Sequence, residues 1–424
     1  MAGAIDPFVI DPDGDLILEV RQDKESARFA FRVDSSVLQR NSPYFERLLS
    51  DHFREGQEFA ATRNALRLAG YSNIAEVPAE ALPTIELIDV GRISKVSSIQ
   101  NLVADFLRAV HSLDLPAHPP IANLANLAVV ADRFECVPYI ARFVQRKRYI
   151  QAIDAKTKSR SSTSLPEERV RQKLLIGLLF DHPPWVTKYS KQLILGDSSQ
   201  WRPGVVVDDT AALWWDLPRN VEDELVKRRE YILETVNSLQ AHFLKKYASG
   251  ERQCKLGYDS SVQCDSFQLG EMIRFFSRLG TLRLQGTIYD PREPTWHTGD
   301  IGRLLESLRQ CPSYQIDRNH SHCGLRTRLL PLLDLIQNQL SLDTASLDIS
   351  ICADCWNSNR EYAWSLAKRP VLWIQPTSTG NRSLAPTFTK KGHQRTPSSC
   401  LGRHIVVREM FMAQERDWTA RDAY

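Results

Sequence analysis

The chain has 424 residues, enough for two or three ordinary domains. Lys plus Arg number 54 against 51 Asp plus Glu, a net charge of +3, which lacks the basic excess of a general nucleic-acid binder. With 42% hydrophobic and 25% charged residues the composition is globular, and the longest apolar run, Leu174 to Phe180, falls far short of the roughly 20 residues that cross a bilayer.

Met1 to Pro7 has no basic region, and Asp11, Asp13 and Asp15 follow closely, unlike a secretory signal. The expectation is a soluble intracellular protein, cytoplasmic or nuclear, whose eight cysteines are mostly reduced. The turn Asp11-Pro-Asp-Gly14 leads into Leu16, Leu18 and Val20, which alternate with Ile17 and Glu19 as in a strand. Phe29, Phe31 and Val33 alternate with Arg28, Ala30 and Arg32, and the charged connection at Asp23 to Glu25 makes the two runs a hairpin. Ser42-Pro43 is a helix start, with Ser42 as N-cap and Tyr44, Phe45, Leu48 and Leu49 on the buried face. Ile85 and Leu87 mark a third strand. Helical stripes follow at Leu102, Val103, Phe106, Leu107 and Val110, at Leu124, Leu127, Ala128 and Ala131, and at Ile140, Phe143 and Val144. A small sheet capped by helices is an α+β unit.

Asp15-Leu-Ile-Leu-Glu-Val20 followed by Phe31-Arg-Val-Asp-Ser-Ser-Val37-Leu38-Gln-Arg-Asn-Ser42-Pro-Tyr44-Phe45 resembles a fungal BTB/POZ domain. Ala128-Val-Val-Ala131-Asp132-Arg-Phe134-Glu-Cys136 is similar to a later segment of that family. The resemblance covers about the first third of the chain. Two positions depart from it. Asp34 stands where the family usually carries His, and Phe59 to Leu82 forms an Ala/Leu-rich, helix-like insertion. The resemblance implies a protein-interaction module without catalytic residues. Many members dimerise, and some bind a cullin scaffold through a hydrophobic-x-Glu motif after the second helix. Phe53-Arg54-Glu55 matches that motif, with Phe53 as the anchor and Glu55 at the rim. The competing reading is a plain helix end with solvated charges.

The expected layout is a BTB/POZ domain over 9–150, a polar basic linker over 151–165, a mainly α-helical domain over 166–370 and a disordered tail over 371–424. Glu167 to Phe180 reads as an amphipathic helix ended by His182-Pro-Pro184. Trp185, Trp201, Trp214 and Trp215 read as core or lid residues rather than a ligand-stacking set. Helical stripes run over Asn220–Tyr247, Phe267–Leu279, Ile301–Leu308 and Leu325–Leu340. Such one-sided helices must bury their apolar faces against one another. Cys311-Pro-Ser-Tyr-Gln-Ile-Asp and His322-Cys-Gly-Leu-Arg are similar to the second half of fungal BTB proteins, a likeness that names no activity.

Six of the eight cysteines lie between 254 and 355. Cys352-Ala-Asp-Cys355 has the spacing with which two thiolates grip one ion. A structural zinc site would use Cys352 and Cys355 with two of Cys254, Cys264, Cys311, His320, His322 and Cys323. The alternatives are buried inert thiols or disulfides. A thioredoxin-like motif lacks its strand-then-helix context, and a zinc deaminase lacks its His-x-Glu. Nucleotide-binding, Gly-x-Ser-x-Gly and His-Glu-x-x-His motifs are missing as well, so an enzyme is not expected. The leading expectation is a non-enzymatic interaction protein with protein partners, homodimerisation among them. The alternatives are a cullin-binding substrate adaptor, a chromatin or transcription factor using Lys390, Lys391, Arg395 and Arg403, and a zinc hydrolase.

Overall fold

The computed structural model describes residues 6–71, 73–158, 165–202, 205, 208, 210–254, 261–281, 299–341, 349–358, 363–374 and 401–419. The chain divides into two compact units, residues 1–189 with 206–219 and residues 190–205 with 220–424.

Unit 1 opens with β1 (Phe8–Val9), β2 (Leu16–Arg21) and β3 (Phe29–Val33). The helices α1 (Ser35–Asn41), α2 (Pro43–Leu48) and α3 (Arg54–Leu68) precede β4 (Thr84–Ile88). Four further helices follow: α4 (Ile99–Val110), α5 (Ile121–Arg133), α6 (Val137–Arg146) and α7 (Tyr149–Lys158). The sheet order is β1-β3-β2-β4. β2 and β3 form the expected antiparallel hairpin, with Leu16 opposite Val33 and Leu18 opposite Phe31, while β4 runs parallel to β2.

Side chains alternate across a strand, so each sheet face has its own cover. Leu16, Leu18, Val20, Phe31 and Val33 are all buried on one face. Ile17 and Ala30, which the alternation alone places outside, are buried too. They pack with Leu66 of α3 and with Val77 and Leu82, so the insertion between α2 and β4 roofs the second face. The helical side is centred on rings: Phe45 stacks on Phe134 at 5.5 Å, and Phe106 lies 5.6 Å from Phe134. Ser42 caps α2 by accepting from the Phe45 amide at 3.1 Å, and its hydroxyl donates to the Phe134 carbonyl at 2.7 Å. Asp15 accepts from the Ser35 amide and hydroxyl at 2.8 and 2.9 Å, tying the start of β2 to α1.

The expected boundary over 151–165 is corrected. α7 already covers 149–158, residues 159–164 lie outside the described residues, and α8 (Glu167–Leu179) packs on α5 inside unit 1. The expectation of an amphipathic helix fails there as well. Residues Val170 to Leu179 are buried all round, with Lys173 donating to the Tyr189 hydroxyl at 2.8 Å and lying 3.7 Å from Asp154. A helix buried on every side, its Arg171, Gln172 and Lys173 included, needs neighbours on every side, which draws it into the first core. Trp214 and Trp185 are buried core residues, and the Trp185 indole donates to Asp154.

α9 (Pro183–Gly196) contributes its last turns to unit 2. That unit continues with α10 (Val221–Ala248), α11 (Val262–Arg278), α12 (Ile301–Arg309), α13 (Leu325–Ser341) and α14 (Ala353–Ser358). It ends with β5 (Leu372–Ile374), α15 (Leu401–Met412) and β6 (Glu415–Asp417). The long α10 is the spine, packed by α11, α13 and α15. The expectation of a disordered tail from 371 is overturned for residues 371–374 and 401–419. β5 and β6 pair in parallel, and Val407, Met410, Phe411, Met412 and Trp418 are buried. Those side chains give the segment enough apolar surface to offset its ordering entropy. Residues 375–400, with Lys390, Lys391 and Arg395, lie outside the described residues.

Candidate metal centre

The Cys/His chemistry lies in unit 2 and resolves into separate sets. α10 ends at Ala248, and residues 249–254 bring Cys254 back over the start of α11. Ser261 caps α11 by accepting from the Cys264 amide at 3.2 Å, which sets Cys264 in the first turn. A short 3-10 turn capped by Asp317 carries His320, and the Cys323 amide donates to the His320 carbonyl at 3.1 Å. The loop thus presents His320 and Cys323 together, just before α13.

Cys254, Cys264, His320 and Cys323 are all buried, and their donor atoms lie within 4.8 Å of one another, an arrangement that could hold a metal ion. Cys254 Sγ lies 3.5 Å from His320 Nδ1 and 3.7 Å from Cys323 Sγ, and Cys323 Sγ lies 3.7 Å from the same Nδ1. His320 Nε2 faces Asp317 Oδ2 at 3.8 Å. A carboxylate on that side favours a proton on Nε2 and leaves the Nδ1 lone pair for a ligand. Around the set, Tyr247 donates to the Cys323 carbonyl at 2.9 Å, and Arg328 holds Gln253 by its carbonyl at 2.7 Å. The Gln253 amide donates to Asp265 at 3.0 Å, so the Cys254 loop is tied to both α11 and α13. Burial, and the neighbouring Cys323 and Cys254 sulfurs, push the Cys264 thiol up to about 12, so the thiol form prevails without a cation.

Cys352 and Cys355 do not join these donors, which corrects the expected single site. They gather instead with His404 of α15, which lies inside the 371–424 segment expected to be disordered. Cys311 and His322 join neither set. Cys311 is buried with its sulfur toward the Pro312 carbonyl, burial pushes its thiol up to about 11, and Arg326 donates to the Cys311 carbonyl at 2.7 Å. His322 is exposed, because the turn that buries His320 and Cys323 puts both residues between them, Ser321 and His322, outside. All seven described cysteines are thiols rather than disulfides.

In unit 1, Phe53 is the residue before α3 and is 47% exposed, while Glu55 sits half-buried in the first turn. A cleft of about 430 Å³ lies beside β1 and α4, lined among others by Phe8, Asp105, Arg108 and His118. Its charged groups answer one another: Arg108 pairs with Asp105 at 3.3 Å. Among the described residues no helix is long and apolar enough to cross a membrane. In comparisons with known proteins, no family model, no curated protein and no solved structure matches this chain.

Proposed function

We propose that this chain is a non-catalytic protein-interaction protein. In this reading unit 1 is a BTB/POZ-type docking platform and unit 2 a helical body built around a structural zinc ion. The observation that carries it is the spacing of the four buried donors. A tetrahedral zinc with S ligands at about 2.3 Å and N ligands at about 2.0–2.1 Å sets S···S near 3.8 Å and S···N near 3.6 Å. The distances of 3.7 Å between sulfurs and of 3.5 and 3.7 Å from sulfur to imidazole fit that shell. Three thiolates and one imidazole fill it, so no position remains for a reacting water, and the metal's role is to hold the fold. That argues against hydrolysis at this four-donor site.

Docking is supported by the hairpin, strand and helix order of unit 1 and by Phe53, a large apolar ring displayed at the start of α3. The cullin-adaptor reading is the second one, favoured by the exposed Phe53 with Glu55 two residues further on. The full chain is expected to self-associate in light scattering over a concentration series, or to bind a purified cullin scaffold. Phe53→Ala with Glu55→Ala is expected to weaken the cullin complex by roughly 30-fold, the worth of about 2 kcal/mol at a buried anchor. A chain that stays monomeric and ignores the cullin overturns the docking reading. Elemental analysis is expected to find zinc, with Cys264→Ser removing one ion; a metal-free native protein sinks the zinc part.

A further inference from the structure

Cys352 and Cys355 flank the first turn of α14, where the Trp356 amide donates to the Cys352 carbonyl at 2.9 Å. This turn brings both sulfurs to one side, and His404 arrives there from α15, about fifty residues further on, with all three donor atoms within 4.8 Å of one another. The two pieces are anchored by contacts that involve no metal. The Ile351 amide donates to Ser190 Oγ at 2.9 Å, and Arg228 of α10 donates to the Ile349 and Ser350 carbonyls at 2.8 and 2.6 Å. On the other side Phe411 of α15 stacks on Trp364 at 5.8 Å, and its carbonyl accepts from Thr235 of α10 at 3.3 Å. Cys355 and His404 are buried, whereas Cys352 is half-exposed. The donor set therefore meets solvent on the Cys352 side.

We propose that Cys352, Cys355 and His404 form a second metal site, distinct from the four-donor set. It takes a zinc-class divalent ion on two thiolates and one imidazole, with a solvent-derived fourth ligand. Two sulfurs and one nitrogen select a borderline-soft ion over magnesium or calcium, which prefer oxygen. Binding converts two thiols to thiolates and releases their two protons to solvent. The ion clasps α15 to the first turn of α14. Because three protein donors leave one position exchangeable, this second ion is the more readily chelated of the two.

The inference is independent of the docking reading and shares with the first site only the class of ion. The metal-free full chain is titrated with Co(II), read by thiolate-to-cobalt charge transfer. The expected end point is two ions per chain, and an end point at one that Cys264→Ser abolishes overturns the proposal, because the single ion is then held by the first site. His404→Ala and Cys355→Ser are each expected to lower the end point to one, with wild-type helicity by circular dichroism, and His404→Cys to restore two. Two ions still bound by both His404→Ala and Cys355→Ser overturn it. Cys264→Ser, which removes a donor of the first site, is expected to keep the second ion, so failure of one site is told apart from failure of the other.

Discussion

Asp34 illustrates how one side chain decides a local structure. It is the N-cap of α1, accepting from the Ser36 and Val37 amides at 2.7 and 3.3 Å. Burial opposes its ionisation, but the hydrogen bonds from Ser36 and Val37 outweigh burial and hold its carboxyl below the usual range. Asp34→Ala is expected to cost about 1 kcal/mol in urea unfolding at neutral pH. A carboxyl lowered in the folded state adds stability above its unfolded value, near 3.9, and loses it as pH falls through the lower folded value. The gap between wild type and variant should therefore narrow on acidification. A gap that is constant from neutral pH to pH 3 would count against the cap.

At the scale of an element, α3 shows how a helix start presents a side chain. A Cβ on Gly56 would lie 1.8 Å from the Ser50 carbonyl oxygen, so α3 can begin this close to the preceding turn only with glycine there. That approach fixes where Phe53 emerges. Gly56→Ala is expected to destabilise the chain by about 1–3 kcal/mol, the usual cost of overpacking, and to weaken any Phe53-dependent complex in parallel. Thermal unfolding with a binding assay checks both; an unchanged melting temperature means the turn yields without cost. The same element accounts for the buried Ile17 and Ala30. Alternation identifies which strand residues share a face, but whether the second face is wet depends on what lands on it.

Across the whole chain, one buried ion pair gathers three separate stretches of unit 2. Glu224 accepts from Arg228 at 2.7 Å and from the Trp364 and Ser365 amides at 2.9 Å each. Burial would raise Glu224, but Arg228 and the amides of Trp364 and Ser365 outweigh it and hold it lowered. Arg228 reaches on to the carbonyls before the Cys352 turn, so α10, residues 349–350 and residues 363–365 share one network. Glu224→Ala leaves a buried guanidinium without its carboxylate and is expected to cost about 3–5 kcal/mol. Glu224→Leu with Arg228→Met should recover much of that loss in the same denaturation assay. Equal losses for the single and double variants would show that packing, not charge, is at stake.

The sequence by itself determined the hairpin, β4, the Ser42 cap and the helical stripes of both halves, because each depends on side chains a few residues apart. It also marked the Cys/His-rich stretch as the chemical feature of the chain. Only the tertiary structure decided the partition of the donors, setting Cys254 and Cys264 with His320 and Cys323, and Cys352 and Cys355 with His404. Short motifs such as Cys352-x-x-Cys355 fix the spacing of two ligands, while the others are delivered by separate helices whose meeting depends on the packing of α10. The apolar spacing of Val407, Met410 and Phe411 was a signal for the helix that carries His404, obscured by the Ser/Pro-rich composition before it. The same reason placed α8 in unit 1: which core buries a helix covered on all sides is settled by the surfaces available to it, not by its own residues.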